Sequence, residues 1–549
     1  MSLYLCYPPF GPPSSPYLSL SVLGGYLRSL GYRVWCEDAN NRFIRFAGSP
    51  EKIREGLKKL ESLEKSGTAP FWAKRTRQLA DLLGPRLFQL NTPEKISPPG
   101  ERNALFETVL SLISLGRIDR VVMDHASNSL GYLSPWSPYS LQESMEAAHA
   151  ENTVLEGFFE EHILPDLEKS KATLLGLSVA FAEQFHPALR LARLVKESLR
   201  GVRVFLGGPF GTYHLHSLQK GDLFDLLDGI ILGEGEESLD LLLRYEDEGV
   251  RGYPEIPGLL WREEGYIWRN PPGIPKKLES LPDPDFQDFS ESKYFFAPQK
   301  GIIPLRFSRG CWWNRCTFCR GYSSAYDASS PEFLCSQVLR LREKTSFSGF
   351  VLADACILPE VLFGFAEELL RSEVRLRWNA HFRFSPSLTL DKVILLREAG
   401  CTRLFLGLES YNDRILKLMG KGITEKLIEK NLMDLAWGGM DTFLYLIVGF
   451  PSETEEEARQ GFRRLREHRE EGLSATCQFN PFILFPDSPV GRNPEKFGIT
   501  QVIYDPREDL QAPAIAWEGP GMGMQRAWEL AEEFTRNMQE VTILKEESL

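Results

Sequence analysis

The stretch Ile302–Phe307, IIPLRF, runs directly into Arg309–Arg320, RGCWWNRCTFCR, and the reading of this junction decides the fold. The first segment is apolar and branched, as a buried strand requires. The second carries three thiols, Cys311, Cys316 and Cys319, within nine residues. A closed zinc or iron–sulfur site takes four protein ligands, whereas three thiolates on a four-iron cluster leave one iron open to another ligand. Two other readings stay open on these residues alone. Free cysteine is often simply buried, and a zinc site would need a fourth ligand. Against plain packing stands the polarity of the loop, with Arg309, Asn314, Arg315 and Arg320; against zinc stands the distance in sequence to the next histidine downstream, His381.

Downstream of the junction, short β-rich runs alternate with helical runs, the pattern of βα units around a parallel sheet. Six strands are expected, at Ile302–Phe307, Gly349–Ala353, Val374–Ala380, Thr402–Leu408, Thr442–Val448 and Thr476–Leu484. Helices are expected between them, among them Pro359–Arg371 and Leu390–Ala399, the latter stopped by Gly400. Six repeats predict a partial (βα)6 barrel of the TIM type over residues 301–485. In such sheets ligands sit at the carboxyl ends of the strands, and the cysteine loop lies just past the end of the first.

Upstream, residues 1–250 read as a second α/β domain, doubly wound and Rossmann-like. LYLCYPPF is a strand, Leu23, Tyr26, Leu27 and Leu30 share a helical face, and YRVWCED is the next strand. Alternation resumes with LLGLSVAF, VRVFLGG and DGIILGEGEESL after a helical insertion at about 44–172, which contains GYLSPWSPYS. Residues 251–300 read as a hairpin, EIPGLLWREEGYIWRNPP, and a Pro-rich linker, and 486–549 as a C-terminal extension with a helix near Gln525–Gln539.

A chain of 549 residues, 43% hydrophobic and 25% charged, is long enough for two or three domains and has an ordinary globular composition. The net charge of −12 argues against a general nucleic-acid binder. No apolar run reaches the roughly 18 residues of a membrane span, the N-terminus lacks a basic signal-like region, and nine cysteines form no disulfide framework. The expectation is a cytoplasmic enzyme with no membrane partner.

The cysteine loop resembles that of the radical S-adenosylmethionine (SAM) superfamily. The usual spacing there is C-x3-C-x2-C, whereas this chain has C-x4-C-x2-C; its GCWW and CTFC flanks resemble the branch that matures ribosomally made peptides (RiPPs). The order of domains, with FLGGP and LGEGEES in the first, resembles the cobalamin-binding members over nearly the whole chain. The resemblance implies three cofactors: a 4Fe-4S cluster on the three cysteines, SAM and cobalamin. For SAM it implies Phe318 against adenine, Asp354 near the methionine amino group, Arg383 for the carboxylate, Glu409 and Ser410 at the ribose, and Gly449 and Pro451 beside adenine. For cobalamin it implies Pro8, Pro9, Ser178, Val179, Gly207, Gly208, Pro209, Gly233 and Glu234 on the corrinoid-facing loops. The D-x-H-x-x-G string that supplies a histidine below cobalt in many corrinoid proteins is absent, and His125, directly after Asp124, has the wrong spacing.

The implied activity is C-methylation of an unactivated carbon, with a peptide or small-molecule substrate and an electron donor such as flavodoxin or ferredoxin. Trp312 and Trp313 hint at a peptide and read equally well as packing. Alternatives are cyclisation, oxidation or rearrangement without methyl transfer, a radical enzyme whose N-terminal domain has lost its corrinoid, and an iron–sulfur protein without radical chemistry.

Overall fold

The computed structural model describes the chain except residues 91–98, 125–128, 250–252, 254, 290–293, 295–301, 322–324, 346 and 547–549. The chain divides into two compact units. The first comprises 1–276, 282–300 and 508–510, and the second 277–281, 301–507 and 511–549.

The first unit is built on a seven-stranded sheet. Its strands in chain order are β1 (Ser2–Tyr7), β2 (Arg33–Asp38), β3 (Leu174–Ser178), β4 (Arg203–Gly207), β5 (Gly229–Ile231), β6 (Leu259–Glu263) and β7 (Tyr266–Arg269). Their spatial order is β2-β1-β3-β4-β5-β6-β7. The first five are parallel. Their order reverses between β1 and β3, the switch point of a doubly wound sheet, where such folds open a crevice at the strand carboxyl ends. Every residue of β1 and β3 is buried, as continuous apolar strands covered on both faces should be.

Within the segment expected as a hairpin and linker at 251–300, the hairpin forms β6 and β7 and joins this sheet, β6 antiparallel to β5 and β7 antiparallel to β6. Its apolar Leu259, Leu260 and Trp261 are buried there. The insertion is mainly helical, with helices at Pro50–Ser66, Ala73–Leu83, Pro99–Ser114, Leu141–His149 and Leu164–Ser170. It also holds an unanticipated antiparallel pair, Arg120–Asp124 with Ser129–Leu133.

The second unit holds six parallel strands: β8 (Ile302–Leu305), β9 (Gly349–Leu352), β10 (Arg377–Phe382), β11 (Cys401–Glu409), β12 (Asp441–Val448) and β13 (Ala475–Pro481). They lie in simple sequential order, the order of barrel folds. Among the described residues β8 and β13 do not pair, so the sheet is open. Helices carry every crossover, including Pro359–Arg371 and Leu390–Glu398. Alternation along β11 and β12 buries Leu404, Leu406 and Leu408 with Leu444, Leu446 and Val448 on one face, and leaves Phe405, Gly407, Tyr445 and Ile447 half-buried on the other.

The C-terminal extension belongs to this unit. Its helix, Met524–Glu546, packs against β13, with Phe534 stacked on Phe462 at 4.4 Å and edge-on to Phe479 at 5.4 Å. Among the described residues no helix is long and apolar enough to cross a membrane.

Candidate active site

The cysteine loop follows β8 and is held by backbone partners far downstream. Trp312 Nε1 donates to the carbonyl of Ile357 (3.1 Å), and Trp313 Nε1 to that of Gly420 (3.0 Å). The Thr317 hydroxyl donates to the Leu418 carbonyl and its amide to that of Met419, both at 2.9 Å. Arg320 Nε reaches both oxygens of Asp487 at 2.8 and 3.0 Å. Asn314, inside the lengthened gap between the first two cysteines, takes φ +41°, a left-handed conformation that asparagine tolerates better than most residues.

Beside this loop the second unit contains a cavity of about 430 Å³. Cys311, Cys316 and Phe318 enter it from the loop, Cys356 from the segment after β9, and His381, Phe405 and Tyr445 from the strands. The three rings lie nearly parallel: His381 to Phe405 at 4.8 Å, His381 to Tyr445 at 6.1 Å, Phe405 to Tyr445 at 6.5 Å. They occupy adjacent strands on the half-buried face, so the pleat itself lays an aromatic floor. Burial pushes His381 down to about 4, so its ring is neutral near pH 7.

Three charged side chains complete the wall. Lys421 Nζ donates to Glu409 Oε1 at 2.7 Å, with both side chains about nine-tenths buried. Glu409 sits at φ +64° where the β11–β12 register shifts. Gly407 makes room for this pair: a Cβ there would lie 2.3 Å from Glu409 Oε1 and 2.6 Å from Lys421 Nζ. Arg383 donates to the Lys421 carbonyl and lies 3.9 Å above the Trp313 ring. The indole N–H groups of Trp312 and Trp313 are both spent on backbone carbonyls, and Trp313 also lines the cavity.

The thiols differ electrostatically. A hydrogen bond with the Cys356 thiol holds Cys311 down at about 5, while burial pushes Cys316 up to about 11 and raises Cys319 as well. Cys311 and Cys356 also form a backbone bridge. Among the described residues no three His, Cys, Asp or Glu side chains converge on one point as a single metal ion would need. A four-iron cluster takes each thiolate on a different iron, so three thiols on one loop match it with one iron left open.

The other residues expected around SAM divide into two groups. Phe318, Arg383 and Glu409 line the cavity; Asp354, Ser410, Gly449 and Pro451 do not. Asp354 is buried and its carboxylate accepts from the amides of Phe307 (3.0 Å) and Ser308 and from the Ser308 hydroxyl (2.7 Å), which ties the end of β8 to that of β9. Burial pushes it up to about 6. Ser410 and Gly449 meet at one buried carboxylate: Glu453 accepts from the Gly449 amide at 2.7 Å and the Ser410 hydroxyl at 3.4 Å. Pro451 is buried.

Lys421, Cys356, Glu453 and the aromatic floor were not anticipated. For Lys421 the sequence carried a signal, a lysine between two glycines just after a helix. For His381, Phe405 and Tyr445 it was the alternation of their strands.

In the first unit, the residues expected to face a corrinoid all fall at the carboxyl ends of β1, β3, β4 and β5. Pro8, Pro9, Ser178 and Val179 are buried; Gly207, Gly208 and Glu234 are partly exposed and Pro209 and Gly233 exposed. Gly208 has φ +102°, and a Cβ there would lie 2.5 Å from the Val179 carbonyl oxygen. Val179 donates to Gly207 O at 2.8 Å and accepts from the Phe210 amide at 3.1 Å, which joins the β3 and β4 turns. These turns present backbone at the switch-point edge, a surface that suits close approach of a large planar ligand. His125 lies outside the described residues.

Comparison with known proteins bears on both units. Residues 305–465 match the family model of the Radical SAM superfamily, whose members use a 4Fe-4S cluster and SAM. An anaerobic magnesium-protoporphyrin IX monomethyl ester cyclase of Rubrivivax gelatinosus is 24% identical over 317 residues, 56% of this chain and 56% of that protein. The chain therefore matches little more than half of that relative's length. An uncharacterized methyltransferase of Pyrococcus horikoshii is 23% identical over 55% of this chain and 67% of its own.

Among solved structures, the radical SAM methyltransferase TsrM from Kitasatospora setae, with tryptophan and a SAM analogue bound, superposes with a TM-score of 0.55 at 16% identity. That match covers 94% of this chain and 86% of TsrM. The cobalamin-dependent radical SAM enzyme OxsB, with aqua-cobalamin and SAM bound, gives 0.54 at 19% identity, over 69% of this chain and 60% of OxsB. At these identities the likeness is one of fold.

Proposed function

We propose that this chain is a cobalamin-dependent radical SAM methyltransferase acting on an unactivated carbon of a peptide or small molecule. The observation that carries the reading is that two of the three loop thiols, two cations and an aromatic floor meet in one cavity. A bound cluster with SAM would supply hydrogen abstraction from carbon, and bound cobalamin a transferable methyl group.

The chain's own residues position and shield. Cys311, Cys316 and Cys319 would hold the cluster, and the cations Arg383 and Lys421, which line the same cavity, would offset its negative thiolates and could take the carboxylate of SAM. Glu409 keeps the Lys421 ammonium oriented and accepts from ribose hydroxyls. Phe318, which packs on the apolar cluster containing Ile415 and Phe450 and lines the cavity, would offer its ring to adenine. Asp354 and Glu453 act on the cofactor only through the strand ends that they tie together. His381, Phe405 and Tyr445 give an apolar, water-poor bed for the substrate carbon. The corrinoid is assigned to the loops at Pro8, Pro9, Ser178, Val179, Gly207, Gly208, Pro209, Gly233 and Glu234, of which Val179 bonds the β4 turn through Gly207 and Phe210.

A second reading, ring closure or oxidation without methyl transfer, is favoured by the similarity to the ester cyclase. One experiment separates the two. Chain reconstituted anaerobically with iron, sulfide and hydroxocobalamin is incubated with reductant, methyl-deuterated SAM and candidate peptides. Intact label in the product supports methyl transfer. 5′-Deoxyadenosine without label in the product supports the second reading, and no 5′-deoxyadenosine overturns both.

A further inference from the structure

The helical insertion of the first unit contains a second cavity, of about 300 Å³, at the small end of the roughly 300–1,000 Å³ typical of small-molecule sites. Its walls come from the end of helix Pro50–Ser66, the loop to Trp72, and the turn leading into the Arg120 strand. Leu63, Pro70 and Trp72 give the lining an apolar part beside the polar Thr68, Ser114, Arg117 and Asp119, and Ile118 and Leu133, about half exposed, also line it.

Into this lining projects one charged group without a charged partner. The Arg120 guanidinium lies 4.3 Å from the Trp72 ring centroid, and its buried Nε has no hydrogen-bond partner. Among the described residues Arg120 forms no ion pair. The other polar groups of the cavity are spent. Asp119 accepts from the Tyr132 hydroxyl (2.7 Å) and the Val154 amide (2.8 Å), the Ser114 hydroxyl is bonded to the backbone on both sides, and Arg117 pairs with Glu156. Glu107, the carboxylate whose field reaches Arg120, is held by Arg75 through two bonds at 2.7 and 3.2 Å. A guanidinium fixed on an indole face, with its nearest carboxylates engaged elsewhere, is arranged to take a planar anion from outside.

We propose that this cavity is a binding site for a carboxylate carried on a small apolar body, with Arg120 holding the carboxylate and Trp72, Leu63 and Pro70 enclosing the body. The site is separate from the cofactor cavity and does not depend on the proposed reaction. The same chemistry can come from a free aromatic or branched acid or from the terminal carboxylate of a peptide.

The test is calorimetric titration of the full chain with 3-phenylpropionate and its primary amide, and with a peptide ending in phenylalanine as free acid and as amide. Binding of an acid at least about tenfold tighter than its amide is expected, since a hydrogen bond to a charged group is worth at least that much. Preference for 3-phenylpropionate identifies the free acid as the source, and preference for the peptide acid the chain terminus. Arg120→Gln should abolish the discrimination while leaving the near-ultraviolet circular dichroism and the melting temperature as in the parent. Equal binding of acid and amide, no binding of either acid into the millimolar range, or an unchanged R120Q titration overturns the proposal. Trp72→Leu provides a second variant that should weaken the acid while leaving Arg120 in place.

Discussion

Lys421→Met is the most informative single change in the second unit. In the parent, Lys421 and Glu409 are both about nine-tenths buried and 2.7 Å apart. Removing the ammonium leaves a carboxylate in the cavity wall with no cation on it, and losing one partner of a buried pair costs about 3–5 kcal/mol. For a unit of this size each kcal/mol moves the melting temperature by about 2–4 °C, so a fall of roughly 6–20 °C is expected. E409Q in the K421M background removes the second charge and recovers most of the loss, since replacing both partners is far less costly than replacing one. Guanidinium unfolding of the three proteins at neutral pH gives the answer. A K421M deficit below about 1 kcal/mol, or one that E409Q does not relieve, would refute the view that this pair is a tightly desolvated unit.

Other outcomes follow from the same geometry. Alanine at Cys311, Cys316 or Cys319 should reduce iron after anaerobic reconstitution from about four atoms per chain to fewer than one, while alanine at Cys356 should leave it near four; iron retained in any of the first three disproves the ligand assignment. Glu453 is pushed up to about 7 by burial, so the folded state holds its proton more tightly than the unfolded chain does. Stability from this group is present below about pH 4.5 and is lost as pH rises through 7, an effect of about 3 kcal/mol that Glu453→Gln should abolish in a pH series of denaturation midpoints. Gly208→Ala should cost about 2 kcal/mol or more, from its φ of +102° and the Val179 carbonyl 2.5 Å from the new Cβ, and should lower the corrinoid retained after desalting. Unchanged stability of G208A would show that the turn relaxes freely.

The strands of the second unit were legible because each is a short apolar run bounded by turn residues. All six lie within a few residues of the expected positions, and helix Pro359–Arg371 has the expected bounds. The three thiols were legible for the same local reason. Side-chain direction was not: Asp354, Ser410 and Gly449 stand at strand ends as expected, yet their polar groups turn into the scaffold, because buried amides and hydroxyls there need acceptors. Pairs distant in sequence were also hidden. Nothing local links Lys421 to Glu409 across a helix, or Cys356 to Cys311 across a whole βα unit. The hairpin at Leu259–Arg269 was recognised as a hairpin, but its place at the sheet edge depends on β5, which periodicity does not reveal.

The anchors of the cysteine loop have a temporal meaning. The thiols leave the ribosome early, but their fixed points at Ile357, Leu418, Gly420 and Asp487 arrive 45 to 167 residues later. At about 5–20 residues per second, the loop waits on the order of ten seconds or more for its last anchor. The frame that fixes the spacing of the thiols is therefore complete only once β13 and Asp487 have been synthesised. A chain halted before Asp487 would keep all three cysteines and lack the frame that presents them, which makes cluster content a reporter of completed folding.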